Sequence, residues 1–123
     1  MDIAAWIAQV LGAFVFGLHG YTLLFRQELA RRQFPWAGDV PESLKRLIGT
    51  SELLGAIGLI VPAVTKLLPW LTPLAAVGLV TIMALAAVFH ITRREWPNVV
   101  FNLVLGALAG FVAYARYVAV PLS

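Results

Sequence analysis

The chain has 123 residues, of which 61% are hydrophobic and 12% charged, and its net charge is +3. Soluble domains have about 45–50% apolar and about 25% charged residues. A mean hydropathy of +0.88 therefore excludes a disordered chain and a nucleic-acid-binding module, and it argues against a water-soluble enzyme. The absence of cysteine excludes thiol chemistry and Cys-based metal sites. We predict a single integral membrane domain whose surroundings are the lipid bilayer, with no nucleic-acid partner.

Four apolar segments are long enough to cross a membrane as helices. They cover residues of about 3–25, 48–64, 72–91 and 98–120. Each has about 17–23 residues, which cross about 30 Å of hydrocarbon at about 1.5 Å per residue. Short, proline-containing connections favour antiparallel neighbours, so we predict an all-α fold, an integral membrane antiparallel four-helix bundle. Thr72 is expected to cap the third helix, with Pro73 in its first turn.

Basic residues predict how the bundle is oriented. Seven lie at one end, in the connections 26–46 and 92–97: Arg26, Arg31, Arg32, Lys45, Arg46, Arg93 and Arg94. Two, Lys66 and Arg116, lie at the other end. Because cytoplasmic loops are enriched in Lys and Arg, we expect both connections to be cytoplasmic and both termini outside, in a bacterial inner (plasma) membrane.

Three further side chains are interpreted as anchors at the membrane surface. Phe34 and Trp36 lie among basic residues of the first connection, which is typical of an amphipathic segment on the lipid surface. Arg116, flanked by tyrosines, is expected to extend its charge to the interface. Small residues in the fourth span, with Gly106 and Gly110 four apart, indicate either a packing face within the bundle or a homodimer contact, and the sequence leaves both open.

The most informative feature is a set of polar residues on one side of the membrane. His19 and Glu52 lie about five or six residues inside the cytoplasmic ends of the first two spans, roughly 8–10 Å below the interface. Each polar residue shares a helix face with small residues, which indicates that these faces look inward. The same leaflet also holds Tyr21, Thr50, Ser51, His90, Asn98 and Asn102.

Glu52 is the residue that most requires an explanation. A carboxylate facing lipid costs at least about 2.5–3.5 kcal/mol, so Glu52 must be protonated, paired or hydrated. We predict that Glu52 and His19 are the proton-exchanging, catalytic pair of a pocket for a lipophilic ligand, a quinone or terpenoid-like lipid. The structural alternative is a hydrogen-bonded cluster that only fixes the bundle. The predicted ligand-binding residues, some of them also candidate partners of Glu52, are His90, Asn102, Tyr21, Asn98, Arg46 and Arg93.

Metal-dependent alternatives fit the sequence poorly. Two axial histidines would suit a haem, but His19 and His90 differ in depth by about four or five residues. A triad of two histidines and a carboxylate would suit iron, but no H-x-x-x-H or E-x-x-H spacing is present. We therefore predict no metal site and leave the cofactor open.

Several stretches together resemble the DoxX-like family of small four-span membrane proteins. The Glu-Leu-Leu-Gly-Ala segment and the His-x-x-Arg-x-Glu end of the third span are the most specific parts. The first span departs from the family, because its Gly20–Leu24 stretch has no lysine of the usual Gly-x-x-Lys-Leu. The matching stretches lie between about residues 46 and 117: Ile48–Pro62, Pro69–Ala76, Gly78-Leu79, Met83, Ala87, His90–Glu95 and Phe111–Arg116.

The resemblance implies a four-helix membrane bundle, and it places Glu52, His90, Arg93 and Glu95 at motif positions. Relatives are associated with quinone-linked sulfur oxidation, membrane redox complexes and the chaperoning of receptor assembly. Three hypotheses follow. The first is the lipophilic-ligand pocket, the second a non-catalytic accessory or assembly subunit with a membrane protein partner, and the third a stand-alone acid–base enzyme of the isomerase or epoxide hydrolase type. Whether the protein is an enzyme stays open.

Overall fold

The structure, a computed structural model, describes residues 1–122 and consists of helices and short connections. The helices are α1 (Asp2–Phe25), α2 (Gln27–Gln33), α3 (Glu42–Thr65), α4 (Leu71–Thr92) and α5 (Trp96–Tyr114). A 3₁₀ turn follows α2 at Pro35–Gly38, and a π-helical turn at Ala115–Ala119 continues α5. No strand occurs within residues 1–122. The all-α prediction is confirmed, and α1, α3, α4 and α5 are each long and apolar enough to cross a membrane.

The four long helices form a ring of antiparallel neighbours. α1 packs mainly on α3 and α4 mainly on α5, while α3 contacts α4 and α1 contacts α5. The buried core includes Phe16, Leu59, Leu79, Leu105 and Val112. We call the end that carries α2 and the α4–α5 connection the loop end, and the opposite end, where α1 begins and α5 finishes, the terminal end.

Large apolar side chains cover the outside of the bundle. Phe14 on α1 is 69% exposed, and Leu54, Leu85 and Leu103 on the other three helices are similarly exposed. Such a surface is unfavourable in water and matches hydrocarbon, where helix exteriors are apolar. The protein is therefore an integral membrane protein.

The third helix is longer than the apolar pattern predicts. Residue 48 is the expected start, but α3 begins at Glu42, directly after Pro41. Pro41 has extended backbone angles and acts as the N-cap, and an acidic residue in the first turn stabilises the positive end of the helix dipole. The prediction was based on apolar residues alone. It therefore missed residues 42–47, which are more polar but helical.

Thr72 has a different role from the predicted helix cap. α4 begins at Leu71 with Trp70 as its N-cap, and the Thr72 hydroxyl donates to the carbonyl oxygen of Gly58 at 2.8 Å. Pro62 lies inside α3 four residues after Gly58 and has no N–H to donate to that carbonyl. Thr72 therefore satisfies a buried acceptor that the proline leaves free, and it ties α4 to α3.

The small residues of α5 face a neighbour within the bundle. A Cβ atom placed on Gly106 would lie 3.4 Å from the Cβ of Met83, and one on Gly110 would lie 3.9 Å from Cγ2 of Val80. Both contacts are with α4. Of the two interpretations of this stripe, the geometry corresponds to packing between α4 and α5.

Candidate functional site

The carboxyl group of Glu52 and the imidazole of His19 meet at the loop end of the bundle. The Nδ1 atom of His19 lies 2.6 Å from Oε2 and 2.9 Å from Oε1 of Glu52. Glu52 is 1% exposed, and the His19 side chain is 14% exposed. Of the partners considered for this carboxylate, the histidine on the neighbouring helix is the one in contact, because α1 and α3 cross closely at this level.

A cavity of about 360 Å³ lies directly beside this pair. It is bounded by α1, α3, α4, α5 and the segment between α2 and α3. Its wall is mostly apolar, so the polar groups in it stand out. Five of the eight predicted site residues lie in the wall: His19, Glu52, His90, Asn98 and Asn102.

Asn102 contributes a polar group without a partner. The side chain is buried, and its amide nitrogen, Nδ2, has no hydrogen-bond partner among residues 1–122. A buried amide left unpaired costs about 1–3 kcal/mol. Native structures rarely retain such a group without a ligand, ion or water to satisfy it.

Aromatic side chains form part of the apolar wall, and the sequence-based prediction was wrong for two of them. Phe34 and Trp36 were expected on the membrane surface, but Trp36 is only 7% exposed and both line the cavity. The Phe34 ring lies 4.8 Å from that of His19, and the Trp36 ring meets His90 edge-on at 5.6 Å. The 3₁₀ turn folds inward here because Trp36 packs with Leu23 of α1 in a second apolar cluster.

A chain of hydrogen bonds connects His90 to residues 34–40. This segment lies over the cavity and contributes Phe34, Trp36 and Val40 to its wall, so we call it the cover. Nδ1 of His90 lies 2.8 Å from Oε1 of Glu95, and the same oxygen accepts from Nε of Arg93 at 3.0 Å. Arg93 also donates to Asp39 at 2.6 Å, just after the 3₁₀ turn. This chain therefore connects the end of α4 to the segment that covers the cavity.

Two groups of this chain have shifted pKa values. The hydrogen bond to His90, assisted by Arg93, lowers the pKa of the Glu95 carboxyl below its usual 4.5. The hydrogen bond to Asp39, followed by the one to Glu95, raises the pKa of the Arg93 guanidinium. Both shifts favour the charged forms, so Arg93 forms ion pairs with Asp39 and Glu95 at neutral pH.

Three predicted ligand-binding residues lie away from the cavity. Tyr21 is exposed on the outside of α1 and packs against Phe25. Arg46 is exposed and pairs with Glu42 one turn earlier at 3.6 Å. Arg93 directs its donors at Asp39 and Glu95, as described above. All three are at the loop end, but helix rotation or existing ion pairs direct them away from the cavity.

A second polar cluster, at the terminal end, was not predicted. Arg116 is 3% exposed and so is not the interface anchor that its flanking tyrosines indicated. Its Nε donates to Oε1 of Gln9 at 2.7 Å, and its Nη1 donates to Asp2 at 2.8 Å. Gln9 in turn donates to the carbonyl oxygen of Leu59 at 2.6 Å. A glutamine within an apolar span was the available signal, but its partner lies 107 residues away.

A family model decides how the chain is classified. The model of the DoxX-like family matches residues 7–112, which is most of the chain. The chain belongs to the DoxX-like family. No curated protein and no solved structure gives a significant match.

For this DoxX-like protein, the structure gives a physical reason for the His-x-x-Arg-x-Glu pattern. Glu95 is the shared partner of the other two residues, because its Oε1 contacts Nδ1 of His90 and accepts from Nε of Arg93. Among residues 1–122, no group of three His, Asp or Glu side chains is close enough to hold a metal ion. The loop-end cavity of the DoxX-like fold thus offers imidazole, carboxyl and amide groups in an apolar, aromatic wall.

Proposed function

We propose that this DoxX-like protein binds a lipophilic small molecule, a quinone or a terpenoid-like lipid, in the loop-end cavity. The observation that carries the proposal is the unpaired, buried amide of Asn102 in the same wall as the His19–Glu52 pair. A volume of about 360 Å³ is within the usual size range of small-molecule pockets, which combine apolar walls with a few polar groups.

The rim of the cavity favours entry from the bilayer. Leu47 of α3 and Leu85 of α4 belong to the wall, yet they are 63% and 68% exposed. The cavity therefore reaches the lipid-facing surface of the bundle between these helices. A ligand would place its polar ring inside and leave an apolar tail in the membrane.

The polar groups suit a ligand that both accepts and donates hydrogen bonds. The amide of Asn102 would donate to a carbonyl oxygen of the ligand. If Nδ1 of His19 carries the proton shared with Glu52, its Nε2 is a lone-pair acceptor. A proton would then pass from a ligand hydroxyl to Nε2, and the carboxylate would stabilise the resulting imidazolium. The same transfer in reverse would return it.

We also propose that the loop end faces the cytoplasm of a bacterium and that both termini lie outside. Seven of the nine basic residues lie at the loop end, and two lie at the terminal end. This asymmetry follows the positive-inside rule. Under this orientation the ligand would occupy the inner leaflet of the plasma membrane.

Native mass spectrometry of the gently extracted protein tests the proposal, with a short-chain benzoquinone as the added probe. Wild type should retain a lipophilic species or bind the quinone. Asn102→Leu removes the unpaired donor, and Glu52→Gln removes the proton acceptor of the pair. Asn102→Leu should weaken retention by about tenfold, since one lost hydrogen bond to a polar ligand is worth about 1.5 kcal/mol. Glu52→Gln should weaken retention to a smaller extent, because the proposed bond to the ligand is made by His19, which Glu52 positions.

Thr81→Val is the matched control, because Thr81 is exposed on α4 outside the cavity and its hydroxyl bonds only to its own helix at Val77. It should bind as wild type does. Unchanged retention in both cavity variants would reject the proposal. Stable co-purification of a larger membrane protein that persists in Glu52→Gln would instead favour an accessory subunit.

A further inference from the structure

A second cavity lies at the terminal end of the bundle, far from the His19–Glu52 pair, and it has about 420 Å³. The buried guanidinium of Arg116 and the exposed Lys66 both line it, together with Asp2. With two cations and one carboxylate, these side chains sum to one positive charge. The remaining wall is apolar: Ala63, Pro69, Val120, Pro121 and Leu122.

One nitrogen of the Arg116 guanidinium has no hydrogen-bond partner among residues 1–122. Nε donates to Gln9, and Nη1 donates to Asp2 and to the carbonyl oxygen of Val120 at 2.9 Å. These bonds use three of the five N–H groups of a guanidinium. The other two are on Nη2, which is buried and has no partner among residues 1–122.

The rest of the structure holds Arg116 rigidly. The π-helical turn at Ala115–Ala119 interrupts the regular helix at this residue, and such turns often redirect functional side chains. The guanidinium also lies over the Trp6 ring, 5.5 Å from its centroid. Gln9, which has no exposed surface, is fixed by Leu59. A guanidinium fixed in this way loses little freedom when it binds a further group.

Lys66 brings the second positive charge to the same place. It ends α3 in the left-handed conformation, with φ of 59°. This reverses the chain so that Lys66 joins the cavity wall instead of continuing along the helix. The residue lies directly after the membrane-spanning part of α3, which ends at Thr65. The cavity is therefore at the depth where the phosphates of membrane lipids begin.

We propose that the terminal-end cavity binds a phosphate group between Arg116 and Lys66. Guanidinium N–H groups donate strong, charge-assisted hydrogen bonds to phosphate oxygens, and the two unused N–H groups on Nη2 would donate to the phosphate. The lysine ammonium would contact a third oxygen. The bound group is either the phosphodiester of an anionic lipid headgroup or free phosphate, and the cavity chemistry is the same for both.

Thermal unfolding of the full chain in nanodiscs tests this assignment. Protein in nanodiscs of a phosphate-free neutral glycolipid is compared with protein in nanodiscs that also contain phosphatidylglycerol, and separately with added inorganic phosphate. A ligand that binds only the folded state raises the melting temperature. A rise with phosphatidylglycerol alone identifies the headgroup as the source, and a rise with inorganic phosphate identifies the free anion.

Lys66→Gln is the informative variant, because Lys66 is exposed and its replacement leaves the buried cluster intact. It should weaken the apparent affinity by about tenfold, whereas Arg94→Gln, at the loop end, should respond as wild type does. Arg116→Lys keeps the charge but removes the two N–H groups of Nη2, and it should weaken binding similarly. The proposal would be overturned if neither probe raised the melting temperature of wild type, or if the rise in Lys66→Gln were as large as in wild type.

Discussion

The backbones of α1 and α3 touch where Gly20 faces Gly49. A Cβ atom on Gly20 would lie 2.7 Å from the carbonyl oxygen of Gly49, and one on Gly49 would lie 3.0 Å from that of Gly20. Gly20 directly follows His19, and Gly49 lies three residues before Glu52. The crossing of the two helices thus sets the distance between the imidazole and the carboxyl group.

Gly20→Ala should therefore separate α1 from α3. The added methyl group would meet main-chain atoms, which cannot move aside as a flexible side chain can. Overpacking of this kind costs about 1–3 kcal/mol, and the separation should also weaken the hydrogen bond between His19 and Glu52. The free energy of unfolding in detergent measures the first effect, and the NMR shift of the His19 ring measures the second.

Gly78→Ala is the matched control for this substitution. Gly78 lies within α4, and a Cβ atom there would have nothing within 4 Å. Replacing an exposed helical glycine with alanine should be neutral or stabilise by up to about 1 kcal/mol. Equal destabilisation by both alanines would show that the contact between Gly20 and Gly49 has no special role.

Breaking the His19–Glu52 pair from one side should be worse than removing both members. His19→Phe leaves the Glu52 carboxylate buried without its partner, and losing one member of a buried pair costs about 3–5 kcal/mol. The double variant His19→Phe, Glu52→Leu removes the stranded charge and should recover much of that loss. A double-mutant cycle on the free energy of unfolding measures the coupling.

Tyr21→Phe, on the exposed side of the same helix, serves as the reference for that cycle. It should change stability by less than about 0.5 kcal/mol, as surface substitutions usually do. Strictly additive effects of the two cavity substitutions would contradict the coupling.

The sequence predicted the fold class and much of the loop-end polar set for physical reasons. Lipid requires long apolar helices, so the spans are visible in composition, and an ionisable residue within a span must face inward. His19 and Glu52 were found in this way. The His90 partner Glu95 was recognised as part of a motif, but its pairing was not predicted.

The unpredicted parts depend on contacts that no local pattern encodes. Trp36 looks like a surface anchor because its neighbours are basic, yet the 3₁₀ turn directs it into the bundle. Arg116 looks like an interface residue, yet Gln9 and Asp2 lie beside it only after α1 and α5 have packed. Side-chain direction also matters for Tyr21, which lies at the loop end but is exposed on the outside of α1.

The ion pairs around Glu95 should make stability depend on acid. Its pKa is lower in the folded protein than its usual 4.5, first through His90 and then through Arg93. A lowered carboxyl pKa contributes stability that is fully present above the unfolded value and is lost as the pH falls through the folded value. We therefore expect the melting temperature of wild type to fall below about pH 4.5.

Glu95→Gln lacks this carboxylate. The difference in melting temperature between wild type and this variant should therefore shrink as the pH is lowered through that range. Glu28→Gln, at an exposed position of α2, should show no such convergence of the melting temperatures. If the melting temperatures of wild type and Glu95→Gln changed in parallel with pH, these ion pairs would not stabilise the fold.

The ion pair between Arg93 and Asp39 should control the cover of the cavity more than it controls global stability. Both side chains are partly exposed, so the pair contributes little to the free energy of folding. It is, however, the side-chain link between the α4–α5 connection and the segment after the 3₁₀ turn. Asp39→Asn should therefore leave the melting temperature nearly unchanged and accelerate hydrogen exchange at residues 35–40.

Glu42→Gln is the control for this substitution, because it breaks the exposed pair with Arg46 and should leave that exchange unaltered. Unchanged exchange in Asp39→Asn would mean that packing of Trp36 alone holds the cover in place.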